Sequence, residues 1–244
     1  THILREIGWD AHRLEGGYKT WRRHVVDTLA TLPARFAYKV ISGPTGSAKS
    51  RILEALGAQG AQVLHLEELA AHKGSVLGNL PDAPQPSQRM FETQLLQALE
   101  RCDASRPIFV EAESRRIGTL QVPDALIFAM RAAPCIRIDA CRPARADFLL
   151  RDYDYFLSRP QWLIGQLGHL RGLQSNETLA RWTALIEAGE FRTLVDELLE
   201  KHYDPLYEHS QDKNYRYSDA NVFTAEDLSP ASIESLAERI RATA

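Results

Sequence analysis

Cysteine is scarce in this chain of 244 residues, and charge of one sign does not dominate it. The three cysteines, Cys102, Cys135 and Cys141, are odd in number and irregularly spaced, which matches neither a disulfide framework nor a zinc site. We therefore expect reduced thiols and a cytoplasmic protein. The net charge of −3 argues against a generally basic nucleic-acid-binding protein, although a local basic patch is compatible with it.

Long apolar runs are also missing. No stretch of the sequence approaches the ~18 consecutive apolar residues that a membrane-spanning helix needs, and we expect no membrane partner. The composition, 44% hydrophobic and 25% charged, is typical of a globular protein with a sizeable core. We find no internal repeats and no low-complexity segments.

The order of apolar segments predicts the fold class. Apolar strand patterns alternate with amphipathic helix patterns, which favours an α/β fold: a P-loop three-layer domain with a mainly parallel sheet. From about residue 144 to 208 the strand signal disappears, which predicts an α-helical subdomain. The predicted strands lie in residues 11–17, 36–42, 62–69, 106–118, 135–140 and 220–225. We therefore assign residues 33–143 to the α/β core, 144–208 to the helical subdomain, and 209–244 to a strand and helix that return to the core.

The most informative motif is GPTGSAKS, residues 43–50, called the glycine loop below. It follows an apolar strand, precedes a helix, and fits the phosphate-binding pattern G-x-x-x-x-G-K-[ST] except that Ala48 replaces the second glycine. We expect the helix to begin at Ala48, so that its backbone needs no positive φ. Lys49 would then reach the outer phosphate and Ser50 would bind Mg²⁺ if the ion is used.

Acidic and cationic side chains follow the next two strands of the predicted core. Glu111 and Glu113 end a strand, where an acid can position Mg²⁺ or activate a nucleophile. His72, Lys73 and Ser75 form a second candidate for phosphate binding. The alternatives are a strand end and a loop whose side chains are merely solvated.

Aromatic residues accumulate in the helical region. Tyrosines there can stack on nucleobases, but at helical spacing they can equally form the core. The same choice applies to the candidate apolar residues of this region. The tyrosines are Tyr153, Tyr155, Tyr203 and Tyr207, and the apolar candidates are Phe148, Phe156, Trp162 and Leu163.

Several motifs, taken in order, resemble the tRNA 2-selenouridine synthase family. They are LEGGYK (14–19), the glycine loop, LEELAAHKGS (66–75), QPSQRMFE (85–92), EAESRRIG (111–118) and YDPLY (203–207). The resemblance spans nearly the whole chain. It implies that residues 1–32 are the remnant of a preceding rhodanese-like domain and a linker helix, and that the reactive cysteine of that domain lies before Thr1.

The resemblance also implies an activity. Family members modify the wobble uridine of tRNA: the sulfur of 2-thiouridine is alkylated with geranyl diphosphate, and the geranylthio group is then replaced by selenium from selenophosphate. The glycine loop would bind the diphosphate of the prenyl donor. Selenium transfer would need the rhodanese cysteine, so we expect this chain to geranylate tRNA without installing selenium.

The resemblance assigns roles to particular residues. Lys49, Glu111 and Glu113 are the candidate catalytic residues, and Ser50 and Glu111 are the candidate Mg²⁺ ligands. The role of Glu111 as a general base is a hypothesis that rests on its location at the strand end alone. Two departures from the family pattern are Ala48 in place of glycine and His65 in place of aspartate. The candidate residues for binding the diphosphate and its partners are Gly43, Thr45, Gly46, Ser47, Ala48, Lys49, Ser50, His72, Lys73, Ser75, Ser114 and Arg115.

Two other functions are compatible with the motifs. The glycine loop alone would equally support a phosphotransferase that depends on ATP or GTP. A chain without the rhodanese cysteine could also be a non-catalytic module that docks tRNA. Binding of geranyl diphosphate, ATP and GTP distinguishes these readings.

Overall fold

The computed structural model describes residues 1–13, 15–207, 215 and 221–243. Its centre is a five-stranded sheet in which every neighbouring pair of strands is parallel, with the order β2-β3-β1-β6-β7. A short antiparallel hairpin, β4-β5, lies apart from this sheet. The strands are β1 Tyr38–Ser42, β2 Gln62–Leu64, β3 Ile108–Glu111, β4 Arg116–Ile117, β5 Leu120–Gln121, β6 Cys135–Ala140 and β7 Asn221–Ala225.

Helices cover both faces of the sheet. The helices are α1 His2–Glu6, α2 Gly17–Leu29, α3 Lys49–Ala58, α4 Leu66–Leu69, α5 Gln88–Glu100, α6 Asp124–Ala132, α7 Arg142–Asp152, α8 Asp154–Ser158, α9 Pro160–Leu167, α10 Asn176–Glu187, α11 Phe191–Leu198 and α12 Pro230–Ala242. Ser87, Ser175 and Ser229 cap α5, α10 and α12, and each side chain accepts a backbone N–H of the first turn, which satisfies one of the donors a helix start leaves unpaired.

The central strand β1 supplies both cores because successive side chains of a strand point to opposite faces. Val40 lies in the first core, between the sheet and α2, α4, α5 and α6. Ile41 lies in the second core, between the sheet and α3, α7 and α12. This arrangement of two helical layers around a parallel sheet confirms the predicted P-loop-like three-layer fold. Helix α2, with Val25 and Leu29 buried in the first core, belongs to one of these layers.

Helices α9, α10 and α11 form a third core of their own, around Trp182, Leu163 and Leu194. Beyond α11 the chain continues as a π-helical segment, Leu199–Tyr203, and then as helix over 204–207. The described residues from 144 to 207 contain helices and no strand of either sheet, as predicted, and these helices have more breaks than expected. The helix predicted over 144–157 is interrupted at Tyr153, where φ is −115° and ψ is 36°.

Some sequence-based expectations need correction. The described part of residues 11–17 contains no strand, and Gly17 begins α2 instead. The strand predicted over 62–69 ends at Leu64, and α4 follows it. The predicted boundary at 208/209 and the start of the last strand at residue 220 lie outside the described residues. Within the described ranges, the helices are too short or too polar for a membrane span.

Candidate functional site

The glycine loop connects the carboxyl end of β1 to the start of α3. Two of its glycines are required by close approaches as well as by backbone conformation. At Gly43, φ is 156° and a Cβ would lie 2.5 Å from Ser47 Oγ and 2.8 Å from the carbonyl oxygen of Ile138. At Gly46, φ is 83° and a Cβ would lie 3.0 Å from the Leu149 side chain. The loop is thus pressed against β6 and α7, which fixes its shape.

Ala48 does not behave as predicted. Its φ of 58° and ψ of 25° place it in the left-handed region, immediately before the helix, which begins at Lys49. The expectation that its backbone needs no positive φ was wrong because Ala48 is the N-cap residue rather than the first helical residue. The side chain is 4% exposed and packs in the second core.

The Lys49 ammonium lies over the loop itself. Lys49 Nζ donates to the carbonyl oxygen of Gly43 at 3.0 Å and lies 3.5 Å from that of Pro44. Lys49 also begins α3, whose N-terminus carries a partial positive charge. The loop therefore brings an ammonium and a helix start to one point, which favours an anion there.

A cavity of about 580 Å³ adjoins the loop. It lies at the carboxyl ends of β1 and β3, where the strand order places binding crevices in parallel sheets. Its walls contain most of the predicted site residues. These are Gly43, Thr45, Gly46, Ser47, Ala48, Lys49, Ser50, Lys73, Ser75, Glu113 and Ser114.

Three predicted residues lie elsewhere. His72 is 3% exposed and accepts the Gly74 N–H at Nδ1, so it supports the turn behind the cavity, and burial lowers its pKa. Arg115 points away and pairs with Asp124 at 3.1 Å. Glu111 is buried behind the cavity wall. Sequence order alone could not separate side chains that line the cavity from those that support it.

The carboxylates behind the loop form a connected group. Ser50 Oγ donates to Glu67 Oε2 at 2.8 Å, and the Glu67 N–H donates to Glu111 Oε1 at 2.8 Å. A Cβ on Gly74 would lie 2.7 Å from Oε1 of both Glu67 and Glu113, so these two carboxylates meet at Gly74. The hydroxyl of Ser50 is thus hydrogen-bonded to Glu67, which was not among the candidate Mg²⁺ ligands.

Burial and mutual repulsion perturb these acids. Burial, together with the nearby charge of Glu67, raises the pKa of Glu111 to about 8. Burial also raises the pKa of Glu113 well above its usual range, reinforced by Glu67 and Glu111. Both carboxyls therefore favour the protonated form at neutral pH. They can donate hydrogen bonds or hold a proton beside the Lys49 ammonium.

The oxygen atoms of Ser50, Glu67 and Glu111 would suit Mg²⁺ better than a softer metal. Across the described ranges, no three His, Cys, Asp or Glu side chains converge as a metal cluster. Mg²⁺ is usually held by one or two protein oxygens together with substrate phosphates and water. Ser50 and Glu67 provide such a pair, and Glu111 Oε2 is buried without a hydrogen-bond partner next to them.

Sequence reasoning missed the residues that attach the helical subdomain to the loop. Arg145 on α7 forms two hydrogen bonds of 2.8 Å with the Asp204 carboxylate, and its Nη1 donates to the Thr45 carbonyl at 3.0 Å. The predicted tyrosines divide: Tyr153, Tyr203 and Tyr207 line the cavity, whereas Tyr155 packs on Phe156 and Trp162. The motif YDPLY, which contains Asp204, was the one sequence signal we had identified that could have pointed to the contact with Arg145.

A second cationic side chain is present at the cavity. Lys73 Nζ lies 3.5 Å from the Asp152 carboxylate and 5.7 Å from the centre of the Tyr153 ring. Asp152, which also accepts from Arg51 at 2.6 Å, was not predicted either. The Asp152 carboxylate therefore partly neutralises the Lys73 ammonium, and an anion bound by Lys73 would compete with Asp152 for it.

Comparisons with a family model and with known proteins point to the same family. The family model of the tRNA 2-selenouridine synthase AAA domain matches residues 36–176, more than half of the chain. The chain is 36% identical over 171 residues to a tRNA 2-selenouridine synthase of Nitrosomonas europaea, covering 69% of this chain and 43% of that protein. It is 32% identical over 234 residues to that of Alcanivorax borkumensis, covering 84% and 63%.

A relative from Cupriavidus pinatubonensis, also a tRNA 2-selenouridine synthase, is 31% identical over 238 residues, covering 85% of this chain and 63% of that protein. The chain thus spans less than two thirds of the length of these relatives. The family match includes the glycine loop, the acids after β3 and helix α7. The chain therefore belongs to the tRNA 2-selenouridine synthase family.

Proposed function

We propose that this chain transfers a geranyl group from geranyl diphosphate to the sulfur of 2-thiouridine at the wobble position of tRNA. The observation that carries the proposal is the Lys49 ammonium and the α3 N-terminus at one edge of a 580 Å³ cavity. A cavity of this size is typical of small-molecule sites. The names of the relatives support a tRNA substrate and a place on the route to 2-selenouridine.

The reaction would be a substitution at the first carbon of the prenyl chain. The 2-thiouridine sulfur forms a bond to this carbon while the carbon–oxygen bond to diphosphate breaks, and the diphosphate leaves with the bonding electrons. The base loses its N3 proton to an acceptor at the cavity or to water. Catalysis then requires stabilising the charge on the diphosphate and positioning the sulfur, which is already a good nucleophile.

The residues of this chain divide these tasks. Lys49 and the backbone N–H groups at the start of α3 would bind the leaving diphosphate, as helix N-termini bind phosphates elsewhere. Glu113 lines the cavity and would hold or release a proton there. Glu111 does not line the cavity and would act by positioning Glu67, whose backbone N–H it accepts. Mg²⁺, if used, would be held by Ser50 and Glu67 and would add positive charge to the leaving group.

A second step, replacement of the geranylthio group by selenium from selenophosphate, would complete the synthesis of 2-selenouridine. We propose that the isolated chain performs the first step without the second. Mass spectrometry of thiolated tRNA incubated with the chain, geranyl diphosphate and selenophosphate tests this. The expected product carries a geranylthio group, and incorporation of selenium would contradict the division.

Binding calorimetry separates this function from its competitors. We expect geranyl diphosphate to bind with a dissociation constant on the order of micromolar, more tightly than ATP or GTP. Replacing Lys49 by alanine should weaken this binding about tenfold to a hundredfold, the usual worth of charged hydrogen bonds. Lys19→Ala is the matched control because Lys19 is exposed on α2, away from the cavity.

Two outcomes would contradict the proposal and favour another function. Tighter binding of ATP or GTP, with turnover, would favour the phosphotransferase. Binding of tRNA with no affinity for any of the three phosphorylated compounds would favour the non-catalytic docking module.

A further inference from the structure

A second, smaller cavity lies inside the helical region and is almost entirely apolar. Its volume is about 60 Å³, and its walls come from α7, α8, α9 and α11. Apolar side chains that line this cavity and not the larger one include Leu150, Phe156, Leu163, Leu194, Val195 and Leu198. Two of the residues named from sequence as core or ligand-binding candidates, Phe156 and Leu163, are therefore wall residues of this cavity.

The apolar cavity adjoins the cavity at the glycine loop. Five residues line both, and two of them connect the apolar walls directly to the phosphate side: Thr45, which is part of the glycine loop, and Leu149, which contacts Gly46. The others are Ser75, Tyr153 and Tyr203. A molecule anchored by its phosphates at Lys49 thus has an apolar space within reach.

The chemistry of the walls restricts what can enter. Polar groups are confined to the end nearest the loop, where Tyr203 Oη and Ser75 Oγ lie 3.5 Å apart. The deep end, formed by leucine, valine and phenylalanine, has no partner for the donors and acceptors of a nucleobase or sugar, and burying those groups unpaired is costly. A hydrocarbon is the class of group that suits it.

Protein interiors contain few voids larger than a water molecule. An apolar space of about 60 Å³ among leucines, open toward the larger cavity, is of the kind that binds apolar molecules. Its volume suits the two terminal methyl groups of a branched hydrocarbon chain. It is too small for a nucleobase.

We infer that this cavity receives the terminal methyl groups of the prenyl diphosphate, while the diphosphate lies at the glycine loop and the reacting carbon in the larger cavity. The inference rests on the proposed function, because it assumes a prenyl donor. It identifies the part of the protein that would select this donor, which is the wall formed by α7, α8, α9 and α11.

The test compares geranyl diphosphate with inorganic diphosphate by calorimetry, because the two share a head group and differ in the tail. Wild-type chain should bind geranyl diphosphate about tenfold to a hundredfold more tightly than inorganic diphosphate, from burial of several methylene and methyl groups. Val195→Phe fills the cavity from a position that is only partly buried. It should abolish most of this preference and leave inorganic diphosphate binding unchanged.

Thr193→Phe is the matched control, since it adds the same ring to α11 outside the cavity walls; it should keep the wild-type preference. If Val195→Phe does not fold, Leu150→Phe on α7 provides the same block from another partly buried wall position.

The outcomes distinguish failure of the tail site from failure of the proposed function. If wild type prefers geranyl diphosphate and Val195→Phe retains that preference, the tail binds elsewhere and this inference is wrong, while the proposed function stands. If wild type shows no affinity for geranyl diphosphate, the proposed function fails and the tail site fails with it.

Discussion

Replacing Arg145 by alanine would remove the guanidinium that joins the glycine loop to the end of the helical region. Arg145 bonds both carboxylate oxygens of Asp204 and the carbonyl oxygen of Thr45. Its side chain is 6% exposed and that of Asp204 is 17% exposed. The change therefore leaves a largely buried carboxylate without its main partner, and it releases the loop from α7.

The size of the effect follows from this burial. Removing one partner of a buried ion pair usually costs about 3–5 kcal/mol. The lower end applies here because Asp204 keeps some solvent contact and Arg142 Nε remains 3.5 Å from it. We therefore expect Arg145→Ala to lower the free energy of unfolding by about 3 kcal/mol. For a chain of this length that is a fall in Tm of roughly 6–12 °C.

Urea denaturation followed by circular dichroism measures the change, with Arg142→Ala as the matched control. Arg142 contacts the same carboxylate from the same helix, but its side chain is 44% exposed, and exposed pairs contribute about 0–1 kcal/mol. Asp204→Ala and the double variant complete a mutant cycle. Equal losses for Arg145→Ala and Arg142→Ala, or additive losses in the cycle, would refute the reasoning.

Two further predictions concern the acids behind the loop. Gly74→Ala should destabilise the chain by about 1–2 kcal/mol through its φ of 67°, and by more because its Cβ would strike Glu67 and Glu113; Gly60→Ala, with φ of 86° and nothing within 4 Å, measures the backbone cost alone in the same urea titration. For Glu111, the pKa is raised to about 8 in the folded state, above its value of about 4.3 when unfolded. The folded state therefore holds the proton more tightly, and stability falls as pH rises from about 5 to about 8. Glu111→Gln should flatten that fall, as read from urea midpoints at pH 5 and pH 9.

Each of these predictions can fail clearly. If Gly74→Ala costs no more than Gly60→Ala, the two carboxylates yield freely and do not form a packed group at Gly74. If wild type and Glu111→Gln lose stability equally between pH 5 and pH 9, the Glu111 carboxyl does not titrate in that range.

The elements predicted correctly are those whose sequence signal lies within the element or next to it. The strand at Cys135–Ala140 has the predicted bounds, and the loop lies between a strand and a helix as its motif indicates. The break at Tyr153 and the π-helical segment at Leu199–Tyr203 were missed. Both lie where packing between helices, rather than periodicity, decides the backbone.

The site was predictable where a residue's neighbours in sequence are also its neighbours in space. The glycine-loop residues line the cavity as expected. The pairing of Ser50 with Glu67 and the bond from Arg145 to Asp204 join elements 17 and 59 residues apart, and no local pattern specifies such pairs. Glu111 and Glu113 belong to the same motif, but β3 ends at Glu111, so Glu113 lies in the loop that follows the strand and lines the cavity, whereas Glu111 does not.

Ala48 shows how the loop keeps its shape with one glycine missing. A left-handed conformation costs a non-glycine residue about 1–2 kcal/mol. Against this, burial of the alanine methyl in the second core contributes about 0.8 kcal/mol, and alanine loses less backbone freedom than glycine on folding, by about 0.4–1 kcal/mol. These contributions cancel to within about 1 kcal/mol, so alanine at this position costs the loop little stability. The glycines that cannot be replaced in this way are Gly43 and Gly46, because a Cβ there would strike the chain rather than fill a space.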